Sequence, residues 1–436
     1  MSPTVSLPSA APYVSAFAEV RRDLPGAGRA GIAALRVRAL ERFARHGVPG
    51  LKLEAWKYTN LNPLAALGFR PAGVSPATGM PALDFIGDAY AMVFAGGRLQ
   101  PRLSRLAGLP AGVVVAALAE RMQAADEDPG PWFDAGDDDR ARALVALNAA
   151  FMQDGAVVKL ASGVTLDKPL HLIFIAPPGG AVNLRNLVTL ESRASAQVVE
   201  TYLGADGAPY WTNAVTAVRL RAGAKLGHYK HQAEGGGAYH SALVEARLGQ
   251  GAAYDGFVFS HGAKLARNEV ELIFAAEGAT CRLDGLALAR GRQHCDNTTR
   301  ILHASGHCAS QQIYKAVVDG EARAVFQGRI RVAPDAQKSD ARQLSRNLLL
   351  SPAAMADVKP ELEILADDVK CSHGAAIGDL DKEAMFYLRS RGLDEAGARV
   401  MLIEAFAADA IEGIGCAPVR EHFAAVLRGW LGDAHD

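Results

Sequence analysis

The sequence predicts a mainly β protein, a right-handed parallel β-helix core flanked by N-terminal and C-terminal α-helical regions. Three observations carry that prediction. Small-residue turns recur at Ser195-Ala196, Gly223-Ala224, Gly251-Ala252, Gly278-Ala279 and Gly306-His307, separated by 28, 28, 27 and 28 residues. From about residue 155 to 350 the apolar pattern is one of short alternating runs broken by Gly, Asn and Asp, with no helix-length periodic segment. On both sides of that region apolar residues fall at helical spacing instead.

Residues 1–150 are expected to form a helical or mixed N-terminal region. Ile32, Leu35, Val37, Leu40 and Phe43 recur at helical spacing. The acidic cluster Asp134 to Arg140 marks a solvated entrance to a helix through Leu144, Leu147 and Phe151.

Residues 151–350 are expected to form the β-helix core. Each small-residue turn follows a short apolar-rich run (187–190, 215–220, 243–248, 270–274 and 301–302) and precedes another. Only Gly or another small residue tolerates a tight turn packed against the same turn above and below, so the fixed period implies stacked coils. One coil cannot bury its own apolar face, which makes stacking obligatory. A large antiparallel sandwich with coincidental glycines is the alternative.

Residues 351–436 are expected to open with an extended segment and close with helices. Read as a strand, the segment places Cys371 and His373 on one face with Val369, while Lys370 and Ser372 point the other way. A thiolate and an imidazole on one face can address one metal ion; a buried structural Cys beside a hydrogen-bonded His has the same pattern. Asp381 is placed to cap a helix that stops before Gly392, and Asp394 a second that runs to about Gly415. In the second, Ala396, Val400, Ile403, Ala407, Ile411 and Ile414 form an apolar stripe. These helices are expected to cap the open end of the solenoid, whose exposed edges would otherwise be sticky.

Composition excludes several classes of function. The 46 Lys and Arg residues are offset by 47 Asp and Glu, so there is no excess positive field for nucleic acid or an anionic membrane. The opening residues, Met1 to Pro8, lack a signal-peptide pattern, no apolar run approaches the roughly 20 residues of a membrane helix, and a cytoplasmic location is expected. Five widely spaced cysteines without a Cys-x-x-Cys pair argue against a disulfide framework and a structural zinc site. No Walker-type Gly-x-x-x-x-Gly-Lys-Ser/Thr sequence occurs, so any ATP energy must come from another subunit.

Two further histidine groups stand out. His294-Cys295 and His307-Cys308 recur 13 residues apart with His303 between them, and they line a candidate metal path or simply stack for packing. His228, His231, His240 and His261 surround Gly235-Gly236-Gly237, most simply a solvent-exposed loop. Trp56-Lys57-Tyr58-Thr59 reads either as a stacking or phosphate-contacting motif or as an aromatic anchor fastening the N-terminal helices to the β core.

Several of these stretches, taken in order, closely resemble the SufB/SufD family of iron-sulfur cluster assembly proteins. They are Glu54 to Thr59, His294-Cys295-Asp296-Asn297, Arg323 to Gly328, Asn347-Leu348-Leu349-Leu350, the run Lys359 to Ala375 with its Cys-Ser-His-Gly motif, Asp379 to Glu383 and Phe386 to Gly392. The SufD branch is the better match. The resemblance implies a β-helix between helical segments, a transient iron-sulfur cluster formed at an interface with SufB, and a SufC ATPase docked on the C-terminal helices. It implies that His373 contributes to the cluster, with Cys371 either a second ligand or a thiol supporting the turn at Gly374. A flavin is sometimes associated with the assembled complex of this family, but no Gly-x-Gly-x-x-Gly follows a strand here to place it. In the SufB branch an essential cysteine is expected near the positions held here by Leu362 and Glu363, a departure that weighs against a SufB-like principal scaffold.

The leading reading is therefore a noncatalytic scaffold subunit that pairs with SufB, binds SufC and supplies His373. A β-helix carbohydrate enzyme would need an aromatic-lined groove and paired carboxylates. Aromatics are only 7% of the chain, and adjacent Asp367-Asp368 splits across two strand faces. A stand-alone iron carrier would need more ligands at one point than the sequence offers.

Overall fold

The computed structural model describes residues 7, 9–73, 83–124 and 139–432. Met1 to Ser6, Pro8 and most of the acidic cluster, residues 134–138, lie outside the described residues. Among the described residues the strands form two sheets, of ten and nine strands, and consecutive strands of the core alternate between them. Ser195–Gly204 lies in the ten-stranded sheet, Tyr210–Leu220 in the nine-stranded sheet and Lys225–Ala233 back in the first. Every pairing from Leu170–Ala176 onward is parallel. The result is a two-sided β-solenoid of about eight turns; the antiparallel sandwich does not form.

The turn repeat holds at Gly223, Gly251 and Gly278, whereas the flanking corners fall at Arg193-Ala194 and His307-Cys308 and not at Ser195-Ala196 and Gly306-His307; each corner is set by backbone conformation. Arg193, Gly223, Gly251, Gly278, His307 and Lys338 all adopt φ between 57° and 72°. Each is followed by a small residue buried in the corner: Ala194, Ala224, Ala252, Ala279, Cys308 and Ser339. The corner N–H of Gly223 donates to the Gln250 carbonyl, and that of Gly251 to Glu277, so successive coils are stitched together there. Arg193, His307 and Lys338 accept the left-handed geometry despite its cost for L-residues. For that reason a search for glycine sees only part of the repeat.

Alternate residues of both sheets turn inward and close the lumen, from Phe94 and Phe174 through Tyr202, Val218 and Leu248 to Phe326 and Val332. The outward faces are covered by helices. Ala30–His46 and Ala143–Phe151 pack with Trp56 against Leu187, Trp211, Tyr239 and Leu265 of the nine-stranded sheet. Asp139 caps the single 3-10 turn that leads into the second of these helices, its side chain accepting from the Ala141 N–H. Arg36 is buried and donates to the carbonyls of Pro25, Ala150 and Met152. Burial pushes its pKa down to about 9.

Asp381 and Asp394 cap the helices Lys382–Ser390 and Glu395–Glu412 as expected. A third helix, Ala417–Gly432, follows. Ile403, Ala407, Ile411 and Phe423 of these helices pack on Tyr229, Phe257, Leu286 and Val317 of the ten-stranded sheet. The helices thus cover a face and do not cap the end. The physical reason is the outward row of large apolar side chains in the middle coils, which demands cover. The solenoid also runs past residue 350, through Met355–Ile364 and Lys370–Gly378, and that last coil is left with bare edges among the described residues.

Candidate functional site

The terminal coil carries the Cys-Ser-His-Gly motif. Strand Lys370–Gly378 pairs with Asp340–Leu349 on one side and with no described strand on the other. Its register sets Cys371 beside Ala341 and His373 beside Gln343. Ala341 and Gln343 are buried residues of the inward-facing set, so Cys371 and His373 share the lumen face at its open mouth. Val369 and Cys371 pack against the lumen core, while His373 is exposed. Burial, with the Asp340 carboxylate nearby, pushes the Cys371 thiol up. Held that way it is protonated at neutral pH.

The opposite strand of the coil, Met355–Ile364, places Val358 and Leu362 against the same core and is itself an edge. Leu362 thus turns an apolar side chain toward the lumen core. One coil inward, the Gln343 side chain lies across the lumen on Gly328, where a Cβ would overlap its Nε2. Apolar Met355, Ile364, Leu365 and Ile377 are exposed around this end. A separate cleft of about 580 Å³ lies on the outward face, lined in part by Lys225, Asp255, Arg282 and Arg342, and neither Cys371 nor His373 lines it.

The residues proposed for a metal path are not brought together. His294 and Cys295 are neighbours on a strand and face opposite sides. His294 sits outside with its Nε2 3.0 Å from Thr59 Oγ1, while Cys295 is buried and its thiol pushed up to about 12 by burial. His303 is buried 2.9 Å from Ser310 Oγ, with its ring 4.5 Å from that of Phe274. His307 is exposed at a corner, and Cys308 is the small corner residue behind it, its Sγ donating to the Gly306 carbonyl. Among the described residues no group of three or more His, Cys, Asp or Glu side chains converges to hold a metal ion.

The expected histidine loop is corrected by the structure. His228, His231 and His240 are buried in strands Lys225–Ala233 and Ala238–Leu248, and only Gly235 to Gly237 form the exposed connection. His228 and His240 turn inward onto Glu200, at 3.1 Å, and Glu234, at 2.7 Å. Burial alone would raise Glu200, yet His228, Tyr202 and Thr216 hold its carboxyl down to about 2. Lys230, in the same lumen cluster, is pushed down to about 8 by burial. Outside, His231 Nε2 lies 2.8 Å from His261 Nε2, beneath His422 and Phe423 of the last helix. Sequence reasoning missed these placements because a polar residue on a strand's inward face looks like one in a loop.

The Trp56 motif is an anchor. Trp56 is buried under Arg267, Thr59 donates to the buried Asp296 carboxylate, and Glu54 pairs with Lys359 of the terminal coil. Phe386 and Tyr387 of helix Lys382–Ser390 are 75% and 56% exposed, and the Arg391 guanidinium carbon lies 5.3 Å from the Tyr387 ring centroid.

Comparison with known proteins fits this architecture. Residues 174–406 match the SUF system FeS cluster assembly SufBD core domain, and residues 8–72 and 87–172 match the SufBD protein N-terminal region. The chain is 33% identical over 388 residues to an iron-sulfur cluster assembly SufBD family protein of Synechocystis sp., covering 86% of this chain and 85% of that one. It is 34% identical over 381 residues to the iron-sulfur cluster assembly protein SufD of Escherichia coli, covering 86% and 87%. It is 32% identical over 309 residues to protein ABCI7, chloroplastic, of Arabidopsis thaliana, covering 69% and 64%. The core-domain match spans the solenoid and its terminal coil, and the chain belongs to the SufBD family of iron-sulfur cluster assembly proteins, on its SufD-like side.

Proposed function

We propose that this chain is a noncatalytic scaffold subunit that pairs its terminal coil with a SufB-type homologue and offers His373 to the iron-sulfur cluster being built there as cargo. The observation that carries this reading is the placement of His373 and Cys371 on the lumen face of an unpaired edge strand. An unpaired edge is a template for another chain. One exposed imidazole and one protonated thiol are too few to retain a cluster, which is ordinarily held by four ligands, so a partner must complete the set. Leu362 supplies no thiol from the facing strand.

The exposed surface of Phe386 and Tyr387 is the proposed dock for a SufC-type ATPase, whose hydrolysis would supply the energy this chain has no Walker sequence to capture. We assign no flavin to this chain. The test is iron and acid-labile sulfide content, measured anaerobically, on the complex purified through a tag on this chain after coexpression with SufB and SufC partners. Wild type is expected to retain both and His373→Ala to lose them while still assembling. Failure of any partner to copurify, or a cluster unchanged in His373→Ala, would overturn the reading.

A further inference from the structure

We infer that Gln343 is the positioning residue of the terminal coil, its amide oxygen accepting the N–H of the His373 ring nitrogen that faces away from the cluster. This rests on the proposed ligand role of His373. Gln343 is the register partner of His373 one coil inward and lies on the same lumen face. It is 3% exposed, and neither its Oε1 nor its Nε2 has a hydrogen-bond partner. A buried amide left unpaired is costly, which marks it as a group whose partner is still to come.

The geometry limits what that partner is. Nε2 is the Gln343 atom nearest the space above Gly328, and Oε1, buried like Nε2, is without a partner. The residues sharing the lumen face within one register step of His373 are Ala341, Gln343, Ser345, Cys371 and Ala375. The alanines have no side-chain acceptor, Ser345 lies one step along, beside Ala375, and already accepts from Asn347 Nδ2, and the Cys371 thiol is a weak acceptor packed on the core. Gln343 is the side-chain amide directly beside His373 in the register. A ligating histidine donates its second N–H to such a group, which fixes the tautomer and orients the ring toward the metal. Gly328 belongs to the same device, since any side chain there would displace the amide.

The test reads the tautomer directly. Full-length chain carrying ¹⁵N-labelled histidine is compared by NMR at pH 8 for wild type, Gln343→Leu and Gln343→Glu, with the exposed His307 as internal reference. His373 is expected to favour one tautomer in wild type, to relax to the His307 mixture in Gln343→Leu, and to return to the wild-type tautomer in Gln343→Glu, which keeps an acceptor. If Gln343→Leu does not fold, Gln343→Ala takes its place. An unchanged His373 tautomer in a folded variant lacking the acceptor overturns the inference. The outcome is separable from that of the scaffold reading, which stands or falls on iron retention in His373→Ala.

Discussion

The guanidinium carbon of Arg267 lies 3.9 Å from the centroid of the Trp56 ring, and both side chains are fully buried. Arg267 also pairs with Glu269 and with the buried Asp296, and it donates to the Ala55 carbonyl. The N-terminal motif is thereby locked to the outward face of the solenoid by stacking, charge and hydrogen bonds at once. Trp56→Ala is expected to cost about 3–5 kcal/mol through the cavity alone. Arg267→Met is expected to cost a similar amount, about 3–5 kcal/mol, because it leaves Asp296 buried without its countercharge. Urea unfolding of the two variants checks both, and a loss below about 1 kcal/mol in either would show the lock to be incidental.

The contact between Gly328 and Gln343 makes a coupled prediction. Gly328→Ala forces a methyl group into the Gln343 amide and is expected to destabilise by about 1–3 kcal/mol. In the Gln343→Ala background the same change meets only Phe326 Cζ, at 3.0 Å, and most of its cost should vanish. A double-mutant cycle on thermal midpoints measures this, and additive losses would place the strain elsewhere.

Cys308 occupies the corner position taken by alanine in four earlier coils. Cys308→Ala is expected to change stability by no more than about 1 kcal/mol, the worth of a weak hydrogen bond, and to leave the iron content of the complex unchanged. Iron loss in that variant would revive the metal path through His303 and His307.

Phe386→Asp acts on an exposed side chain and is expected to leave the thermal midpoint within the small range usual for surface changes, about 0.5 kcal/mol. It should nonetheless abolish capture of the SufC-type partner in a pull-down. Retained capture would move the ATPase dock to another face.

Acid is expected to weaken the chain through its buried outward histidines. Burial pushes His171 down to about 3, and burial with the neighbouring imidazoles pushes His231 well down, while His422 is lowered by burial. The unfolded forms titrate near the ordinary value of about 6.5, so below that pH the unfolded state binds protons that the folded state refuses. Each such histidine contributes stability that is fully present above about pH 6.5 and is lost by about 1.4 kcal/mol per pH unit beneath it. For His171 the loss continues to about pH 3. Urea midpoints between pH 7.5 and 5 should fall accordingly and should fall less in His171→Gln; a flat profile would contradict the burial.

The amino-acid sequence by itself determined the stacked-coil class, because the 27 to 28-residue spacing of Gly223, Gly251 and Gly278 is a local backbone requirement printed directly in residue type. It also determined the helix starts at Asp381 and Asp394, since capping depends on a residue and its next three neighbours. The shared face of Cys371 and His373 followed from the two-residue period of a strand. The tertiary structure alone decided which face that was and what lay next to it. That Gln343 stands beside His373, Gly328 opposite Gln343 and Arg267 over Trp56 depends on stacking register across 15 to 211 residues of chain, which no local pattern encodes. The same holds for His294 and Cys295, adjacent in sequence yet divided by the sheet. Covering helices were legible as helices, but their destination was set by where the coils leave apolar surface uncovered, a property of the assembled solenoid.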